Sequence, residues 1–350
     1  MSNEDKSNAL STVTNAVTDL VTDGASSLPA PIRRNAFKAL DRLCTALMDL
    51  PVAYLEGKAA ERRAETQARM QLISASTEQI AHQIDVDPKY ALLAGEKYAR
   101  RIVQEQINLD KICDFAAQEI EISSEKATSS EKTDDQKEDA DSKKPEISDD
   151  WLDNFRKEAC GKSNEEMQIL FGKILAGEVT RPESFSIRTV KIMGQLDSRA
   201  ASLFRRLCSL CVSMGVPDMI LDSRVPSLGT NAGQNGLKDY GLTFSNLNIL
   251  QEYGLIISDF NSYMDYRPAI ARNNRVGLAL NYCNTHWGLV PEKAGNWPVD
   301  KELRISGVQL TNSGRELQKI VEIEPDEKYT SALTSYFLDS GLQLTTVTVM

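Results

Sequence analysis

Two pairs of residues in this sequence have the spacing of ligands in zinc sites. They are Cys208-x-x-Cys211 and Cys283-x-x-His286, and thiolate and imidazole groups are the usual ligands of structural zinc. The pairs are about seventy residues apart, so only the fold could bring them together. Alternatively, Cys208 and Cys211 lie on the apolar side of a helix, where free cysteine behaves as a small hydrophobic residue. Zinc is therefore one alternative, and the sequence predicts no other cofactor.

A second set of side chains is of the kind that proteins use to bind DNA. Three amides lie on a short predicted helix, Thr243 to Tyr253: Asn246, Asn248 and Gln251. Three arginines follow at close spacing: Arg267, Arg272 and Arg275. Amides can contact base edges, and arginines can contact phosphates. The helix itself has no Lys or Arg, so the electrostatic attraction that dominates DNA affinity is small. We favour the competing interpretation, in which this region packs or contacts another protein.

The motifs of common enzyme classes are absent from the sequence. It has no Gly-x-x-x-x-Gly-Lys-[Ser/Thr] loop, no Gly-x-Gly-x-x-Gly turn, no His-Glu-x-x-His pair and no Gly-x-Ser-x-Gly elbow. Two histidines in 350 residues leave little for a histidine-activated nucleophile. A hydrolase that uses only carboxylates stays open, because such acids are recognised from their geometry. The sequence therefore favours a non-enzymatic protein and leaves the question of an enzyme open.

Composition indicates a cytoplasmic protein. The formal charge of −10 argues against a large nonspecific nucleic-acid surface. The chain begins without the basic and apolar regions of a signal peptide, and it has no apolar run of the roughly 18 residues that a membrane span needs. Six scattered cysteines do not form a disulfide framework, which is consistent with a reducing compartment. We expect no integral membrane insertion.

Residues 151–215 predict a helical core. In its central helix, large apolar residues recur at helical spacing: Met167, Leu170, Phe171, Ile174 and Leu175. Ser163 and Glu166 match a capping box at the start of this helix, and Gly177 is placed as a left-handed C-cap at its end. Two further apolar stripes predict helices: Phe185 to Leu196, and from Asp197 onward.

The helical core also carries a distinctive motif. It reads Glu166-Met167-Gln168-x-Leu170-Phe171-x-x-Ile174-Leu175-Ala176-Gly177-Glu178-Val179, then Pro182-x-Ser184-Phe185-Ser186-x-Arg188-Thr189 and Leu196-Asp197, with Trp151-x-x-x-Phe155 before it. This motif resembles the bacterial family catalogued as domain of unknown function 2806. A looser likeness, mostly in the Leu-Phe-x-x-Ile-Leu-Ala helix, extends to the Abi-alpha family linked with abortive phage infection. The resemblance brings no catalytic residues, and the looser likeness implies phage defence or stress response.

Residues 1–122 predict a helical N-terminal domain or arm. A helix over Pro31–Leu50 carries basic residues near its start: Arg33, Arg34, Lys38 and Arg42. An amphipathic basic helix can lie on an anionic membrane, although we favour an ordinary helix that faces a core. Val52–Ile84 is rich in alanine and charged residues, whereas Pro88–Ile122 has an apolar stripe. Together they predict a helical hairpin or a partner-binding arm.

Residues 123–150 predict a disordered acidic linker. Almost all of them are Ser, Thr, Lys, Glu or Asp, and their formal charges sum to about −5. Ile147 is the only large apolar residue. Such a segment cannot bury enough apolar surface to offset the loss of chain entropy on folding.

Residues 216–350 predict an α+β region that resembles a winged-helix module. The short helix that carries the three amides ends at Gly254-Leu255-Ile256-Ile257, a helix stop followed by a strand. A later strand, Ile305–Leu310, leads into Thr311-x-x-Gly314-x-x-Leu317, which begins another helix. The segment between these strands, Ser258–Asp300, is long for a wing.

These patterns together predict a mainly α protein with a small α+β C-terminal part. We expect a non-enzymatic scaffold or sensor that acts through a protein partner or through self-association, in bacterial phage defence or stress response. A winged-helix DNA-binding regulator is the first alternative. A peripheral membrane effector, attached through residues 10–50, is the second.

Overall fold

The computed structural model describes most of the chain in two compact units. The residues described are 17, 20, 28–44, 88–130, 145–216, 219–231, 233–271, 276–292, 297–298 and 300–346. The first unit, Met1–Val190, we call the helical unit, and the second, Lys191–Met350, the sheet unit. Helices build the first, and an antiparallel sheet lies in the second. The prediction of a mainly α protein with an α+β C-terminal part is therefore confirmed at this level.

The helical unit forms where the apolar faces of its helices meet. Its helices are α1 Ala30–Leu43, α2 Pro88–Ser130, α3 Asp149–Ala159, α4 Glu165–Thr180 and α5 Ile187–Gln195, the last of which contains the boundary between the units. α4 packs against α2, and α1 packs against both. Large buried side chains form the core: Leu40, Leu109, Ile112, Leu152, Phe155, Phe171 and Ile174. The helix predicted over Val52–Ile84 lies outside the described residues.

α2 and α4 approach closely at Gly172. A Cβ atom added there would lie 2.6 Å from the Cβ of Phe115 and 3.2 Å from the backbone nitrogen of Ala116, both on α2. Real Cβ atoms do not come that close to other heavy atoms, so a larger residue would force the two helices apart. Glycine at this position therefore sets the distance between the helices.

Both ends of α4 differ from the prediction. The N-cap is Asn164 rather than Ser163, and its side chain accepts a hydrogen bond from the backbone N–H three residues on, at 3.1 Å. Gly177 is not a C-cap, because the helix continues to Thr180. A Cβ added at Gly177 would lie 2.6 Å from the ring of Phe185. Close packing, rather than a left-handed backbone, therefore explains this glycine.

The turn after α4 is organised by the buried carboxylate of Glu178. Its Oε1 accepts from the backbone N–H of Glu183 at 2.8 Å, and its Oε2 accepts from that of Phe185 at 3.0 Å. Glu183 has a φ of +70°, so the carboxylate holds a turn with an unfavourable backbone conformation. The carbonyl of Phe185 in turn accepts from the indole N–H of Trp151 at 2.6 Å.

Both ends of the stretch predicted to be disordered, residues 123–130 and 145–150, are ordered in the structure. α2 continues through residues 123–130, and α3 begins at Asp149. Between them, Ile147 is fully buried, its N–H donates to Asn35 Oδ1 at 3.3 Å, and its carbonyl accepts from Lys38 Nζ at 2.8 Å. Burial of this side chain and hydrogen bonds to its backbone hold this part of the chain on α1. The rest of the predicted linker, 131–144, lies outside the described residues.

The sheet unit combines an antiparallel sheet with helices. Its helices are α6 Ser198–Leu210, α7 Phe244–Glu252, α8 Asn312–Gln318 and α9 Glu327–Asp339. Its strands are β1 Val212–Val216, β2 Met219–Pro226, β3 Ile256–Ile257, β4 Tyr263–Asp265, β5 Ala279–Tyr282, β6 Thr285–Pro291, β7 Arg304–Leu310 and β8 Leu342–Thr346. The strand order is β3-β7-β2-β1-β5-β6-β8, and β4 pairs with β7. α6 begins at the predicted cap, Asp197, whose side chain accepts from a backbone N–H at 2.7 Å.

The segment Ser258–Asp300, considered as a long wing, contributes strands to this sheet. It contains β4, β5 and β6, and the last two are joined by a two-residue turn at Cys283 and Asn284 with φ of +47° and +57°, as hairpin turns require. β1 and β2, which periodicity did not predict, pair with each other, with Val212 opposite Arg224. The succession α7, β3, β7, α8 is present, and β3 pairs antiparallel with β7.

The Thr-x-x-Gly motif forms the connection between β7 and α8. The backbone N–H of Thr311 donates to the Leu255 carbonyl at 3.0 Å, and its hydroxyl donates to the Gly254 carbonyl at 2.6 Å. The same hydroxyl accepts from the Gly314 N–H at 3.1 Å, which caps α8. A Cβ added at Gly314 would lie 2.2 Å from the Leu255 carbonyl oxygen. Threonine and glycine therefore fix α8 against the start of β3.

We expect Gly172→Ala to lower the free energy of unfolding by about 1–3 kcal/mol, because it overpacks the contact between α2 and α4. Gly161→Ala is the control, since nothing lies within 4 Å of an added Cβ there, and it should change stability by less than about 0.5 kcal/mol. Urea unfolding followed by circular dichroism measures both. Equal stability of the two variants would contradict the close approach of these helices.

Candidate interaction surface

The three amides that the sequence nominates for DNA contact lie on α7. The side-chain amide of Asn246 donates to the Gly241 carbonyl at 2.8 Å, and Gln251 Oε1 accepts from the backbone N–H of Ser258 at 3.1 Å. Asn248 is exposed. Two of the three amides thus bind neighbouring backbone in this structure. To contact bases, Asn246 and Gln251 would both have to break these hydrogen bonds.

Of the three arginines nominated for phosphate contact, Arg267 is described, whereas Arg272 and Arg275 lie outside the described residues. Its guanidinium Nε donates to Asp265 Oδ2 at 2.6 Å, and its backbone N–H donates to Oδ1 at 3.0 Å. Partial burial acts to raise the pKa of Asp265, but these bonds and one from the Leu303 N–H lower it overall. An acid two residues away therefore neutralises the guanidinium of Arg267.

The four nominated zinc ligands are not assembled as a metal site. Cys208 and Cys211 are buried at the end of α6, and burial raises the pKa of both thiols, which disfavours the thiolate that binds metal. Cys283 Sγ donates to the Ser209 carbonyl at 3.6 Å, whereas exposed His286 hydrogen-bonds a side chain on β5. Among the residues that the structure describes, no group of three or more His, Cys, Asp or Glu is placed to hold a metal ion.

A buried ion pair on β2 is a feature that the sequence analysis missed. The guanidinium of Arg224 donates to both carboxylate oxygens of Asp222, at 2.6 and 3.0 Å. It also donates to the carbonyls of Ser262 and Ile305, at 3.2 and 2.9 Å. The hydroxyl of Tyr266 donates to Asp222 at 2.8 Å. Burial raises the pKa of Tyr266 well above its usual range, so the phenol keeps the proton that it donates.

This polar cluster joins neighbouring strands. Gln309 on β7 also donates to Asp222, at 3.1 Å. Beside the pair, the hydroxyls of Ser213 on β1 and Ser223 on β2 are hydrogen-bonded at 2.8 Å, and Ser223 donates to Gln318 Oε1 on α8 at 2.7 Å. Burial of the ion pair carries a large desolvation penalty, which is offset only where hydrogen bonds satisfy both charges. The cluster supplies such bonds and joins β2 to β7, and β1 to β2 and α8.

The basic side of α1, considered for membrane binding, is bound by acids of the same unit. The ion pairs are Arg34–Glu146 at 3.2 Å, Lys38–Asp149 at 3.1 Å, Arg42–Asp149 at 3.0 Å and Arg42–Asp153 at 2.9 Å. We call these six residues the acidic clamp. Hydrogen bonding to Lys38 lowers the pKa of Asp149. The sequence contains a signal for these ion pairs. Basic residues at 34, 38 and 42 and acidic residues at 146, 149 and 153 each recur every three or four positions, which is the spacing of residues on one side of a helix.

The first part of α2 exposes a concentration of apolar side chains. The exposed fractions are 68% for Tyr90, 65% for Leu93, 54% for Tyr98, 40% for Ile102 and 58% for Val103. These are five of the eleven exposed large apolar residues in the part of the chain that the structure describes. A helix with apolar residues on several sides is usually buried. We call residues 90–103 the α2 arm, and it is our candidate interaction surface.

Residues 94–334 match the family described as Protein of unknown function (DUF2806). The chain belongs to this family. The match extends from α2 into α9 and confirms the resemblance drawn from the motif in α4. Comparison of this DUF2806 chain with curated proteins and with solved structures gave no match. None of the helices described in the DUF2806 chain is both long enough and apolar enough to span a bilayer.

The acidic clamp of this DUF2806 chain predicts a stability that depends on salt and pH. Asp149→Asn should lower the free energy of unfolding by less than about 1 kcal/mol at neutral pH, because exposed ion pairs contribute little. About 1 M NaCl should remove this difference by screening. The pKa of Asp149 is below its ordinary 3.8 in the folded chain. Its contribution is therefore present above pH 3.8 and is lost as the pH falls through the lowered pKa.

Asp150→Asn is the control for this prediction. Asp150 also lies in the first turn of α3, so both variants lose a charge that favours the helix N-terminus, but Asp150 takes no part in the acidic clamp. Urea unfolding with and without salt, at neutral pH and below pH 3.8, measures all three chains. If both variants respond to salt in the same way, the clamp does not stabilise the fold.

Proposed function

We propose that this chain is a non-enzymatic scaffold or sensor that acts by binding another protein through the α2 arm. The observation that supports the proposal is the exposure of five large apolar side chains within fourteen residues, Tyr90 to Val103. A helix with large apolar residues on several sides is usually buried against other structure, so their exposure here favours a partner that covers them. The looser likeness of α4 to the Abi-alpha family supports phage defence or stress response as the setting.

The chemistry of the arm fits a protein partner with an apolar groove or helix. Burial of one large apolar side chain contributes about 1.5–3 kcal/mol, so a few of them are sufficient anchors. Tyrosine is enriched among the residues that dominate binding energy, and the arm offers Tyr90, which is largely exposed. Its charged residues are exposed as well: Glu96 and Arg100 form an ion pair. A partner would therefore meet apolar anchors with charged residues beside them, as in helix-in-groove recognition.

The test is capture of binding partners by the full chain produced in bacterial cells, with and without phage challenge. Leu93→Ser combined with Val103→Ser should reduce the captured partner at least tenfold, because it removes two anchors. Glu96→Ser combined with Arg100→Ser is the control and should leave capture unchanged. Both double variants should keep the melting temperature of the wild type. Equal capture by the two variants, or turnover of a nucleotide, nucleic acid or peptide by the purified chain, would overturn the proposal.

Binding of duplex DNA by the sheet unit is the second candidate function. The succession α7, β3, β7, α8 favours it, because a helix followed by paired strands is the order of a winged helix. Arg267, Arg272 and Arg275 would contact phosphates. The full chain should then bind a fluorescent duplex at about 50 mM salt and lose affinity steeply towards 200 mM. Changing the three arginines to alanine should weaken binding at least tenfold. Absence of binding at low salt would dispose of this candidate.

A further inference from the structure

An apolar stripe that α2 buries in the helical unit continues into the exposed α2 arm. Leu109, Ile112 and Ala116 are buried, whereas Tyr98 and Ile102 are exposed. Successive members of this series are separated by four, seven, three and four residues, which is the spacing of one line along a helix that packs on another helix. We call this line the α2 seam. Three of the five residues of the seam are thus buried in the helical unit, and two are exposed.

The end of α1 and the start of α2 lie at the two ends of the exposed part of the seam. The carbonyl of Leu43, at the end of α1, accepts from the side-chain amide of Gln106 at 2.9 Å. α2 itself begins at Pro88. Eighteen residues of helix separate Gln106 from Pro88, which is about 27 Å along the axis. Residues 45–87, which lie outside the described residues, connect these two points in the sequence.

The sequence of this segment carries a matching stripe. Its apolar residues and one threonine recur at spacings of three, four, three and four: Met70, Ile73, Thr77, Ile80 and Ile84. Only three residues, Asp85 to Asp87, separate this stripe from Pro88. So short a connection permits an antiparallel return along the same helix. We propose that residues 70–84 pack antiparallel on the α2 seam and cover Tyr98 and Ile102.

The connection to α2 favours this occupant over a second copy of the chain. Only three residues separate residue 84 from Pro88, so residues 70–84 have a high effective concentration at the seam, which a second copy lacks. Residues 70–84 contain one acid, Glu78, and no Lys or Arg. They can therefore approach Arg101, which already forms an ion pair with Glu105, without repulsion.

The proposal limits the proposed function to part of the α2 arm, because residues 70–84 would cover Tyr98 and Ile102 and leave Tyr90, Leu93 and Val103 for a partner. Leu93 and Val103 lie on other sides of the helix from the seam, at about 100° of rotation per residue. They stay accessible to a partner when residues 70–84 are in place. Failure of partner capture would therefore leave the proposal untouched, and loss of the seam contact would not by itself remove those anchors.

Hydrogen exchange measured by mass spectrometry on the full chain tests the contact. Ile80→Asp places a charge in the stripe and should raise exchange of the amides of residues 92–104 at least tenfold, because the covering segment is lost. Gln79→Asp adds the same charge one position away from the stripe and should leave exchange there unchanged. Peptides from residues 109–120 should keep their protection in both variants, which shows that the helical unit is intact.

Three results would overturn the proposal. Unchanged exchange of residues 92–104 in Ile80→Asp would show that the segment does not cover the seam. Equal increases in both variants would show that the stripe is not the contact. Protection that falls on hundredfold dilution, together with a dimer in sedimentation, would assign the seam to a second copy.

Discussion

The ion pair of Arg224 and Asp222 is the constraint on which the sheet unit depends. Removing both charges from water costs several kcal/mol per ion, so the surrounding chain has to supply the hydrogen bonds that they lose. Ser262, Ile305 and Tyr266 supply them, and these residues belong to separate stretches of the sequence. The pair is therefore satisfied only when β2, β7 and the segment around β4 are all in place. Apolar burial alone tolerates alternative strand arrangements, whereas this pair favours one.

The helical unit uses buried polar side chains for the same purpose. Asn35 on α1 accepts from the N–H of Ile147 and donates to the carbonyl of Val179 at 3.4 Å, so it joins the entry of α3 to the end of α4. Glu178 binds two N–H groups of the following turn. Backbone groups in irregular segments cost free energy when they are buried without partners. In both units, therefore, internal polar residues fix the segments that helices and strands cannot satisfy by themselves.

Periodicity predicts the helices of this chain better than its strands. Apolar spacing identifies α4 and α6, because one face of each is buried, and Asp197 correctly marks the start of α6. The sequence does not predict β1 and β2, because the run Asp222-Ser223-Arg224 has the composition of a loop. This run can be buried only because its tertiary partners satisfy its polar groups. Composition also predicts disorder at residues 145–150, because it averages over many residues and does not register the burial of Ile147 or the ion pairs of Glu146 and Asp149. The role of Gly177 depends on the position of the Phe185 ring, which no local sequence pattern predicts.

The sequence predicts the apolar residues of the candidate interaction surface but not which of them are exposed. The stripe of α2 is visible from its spacing, yet the same spacing describes Leu109, which is buried, and Ile102, which is exposed. Which of them meets a partner depends on where α1, α3 and α4 end. In the sheet unit, the charges of Asp222 and Arg224 are engaged in holding strands together, so they are poorly suited to bind a substrate. The exposed apolar residues of the α2 arm still have surface to bury, and burial of that surface is the largest gain in free energy that association could bring. The physical case for an interaction protein therefore rests on the arm and not on any cluster of ionisable groups.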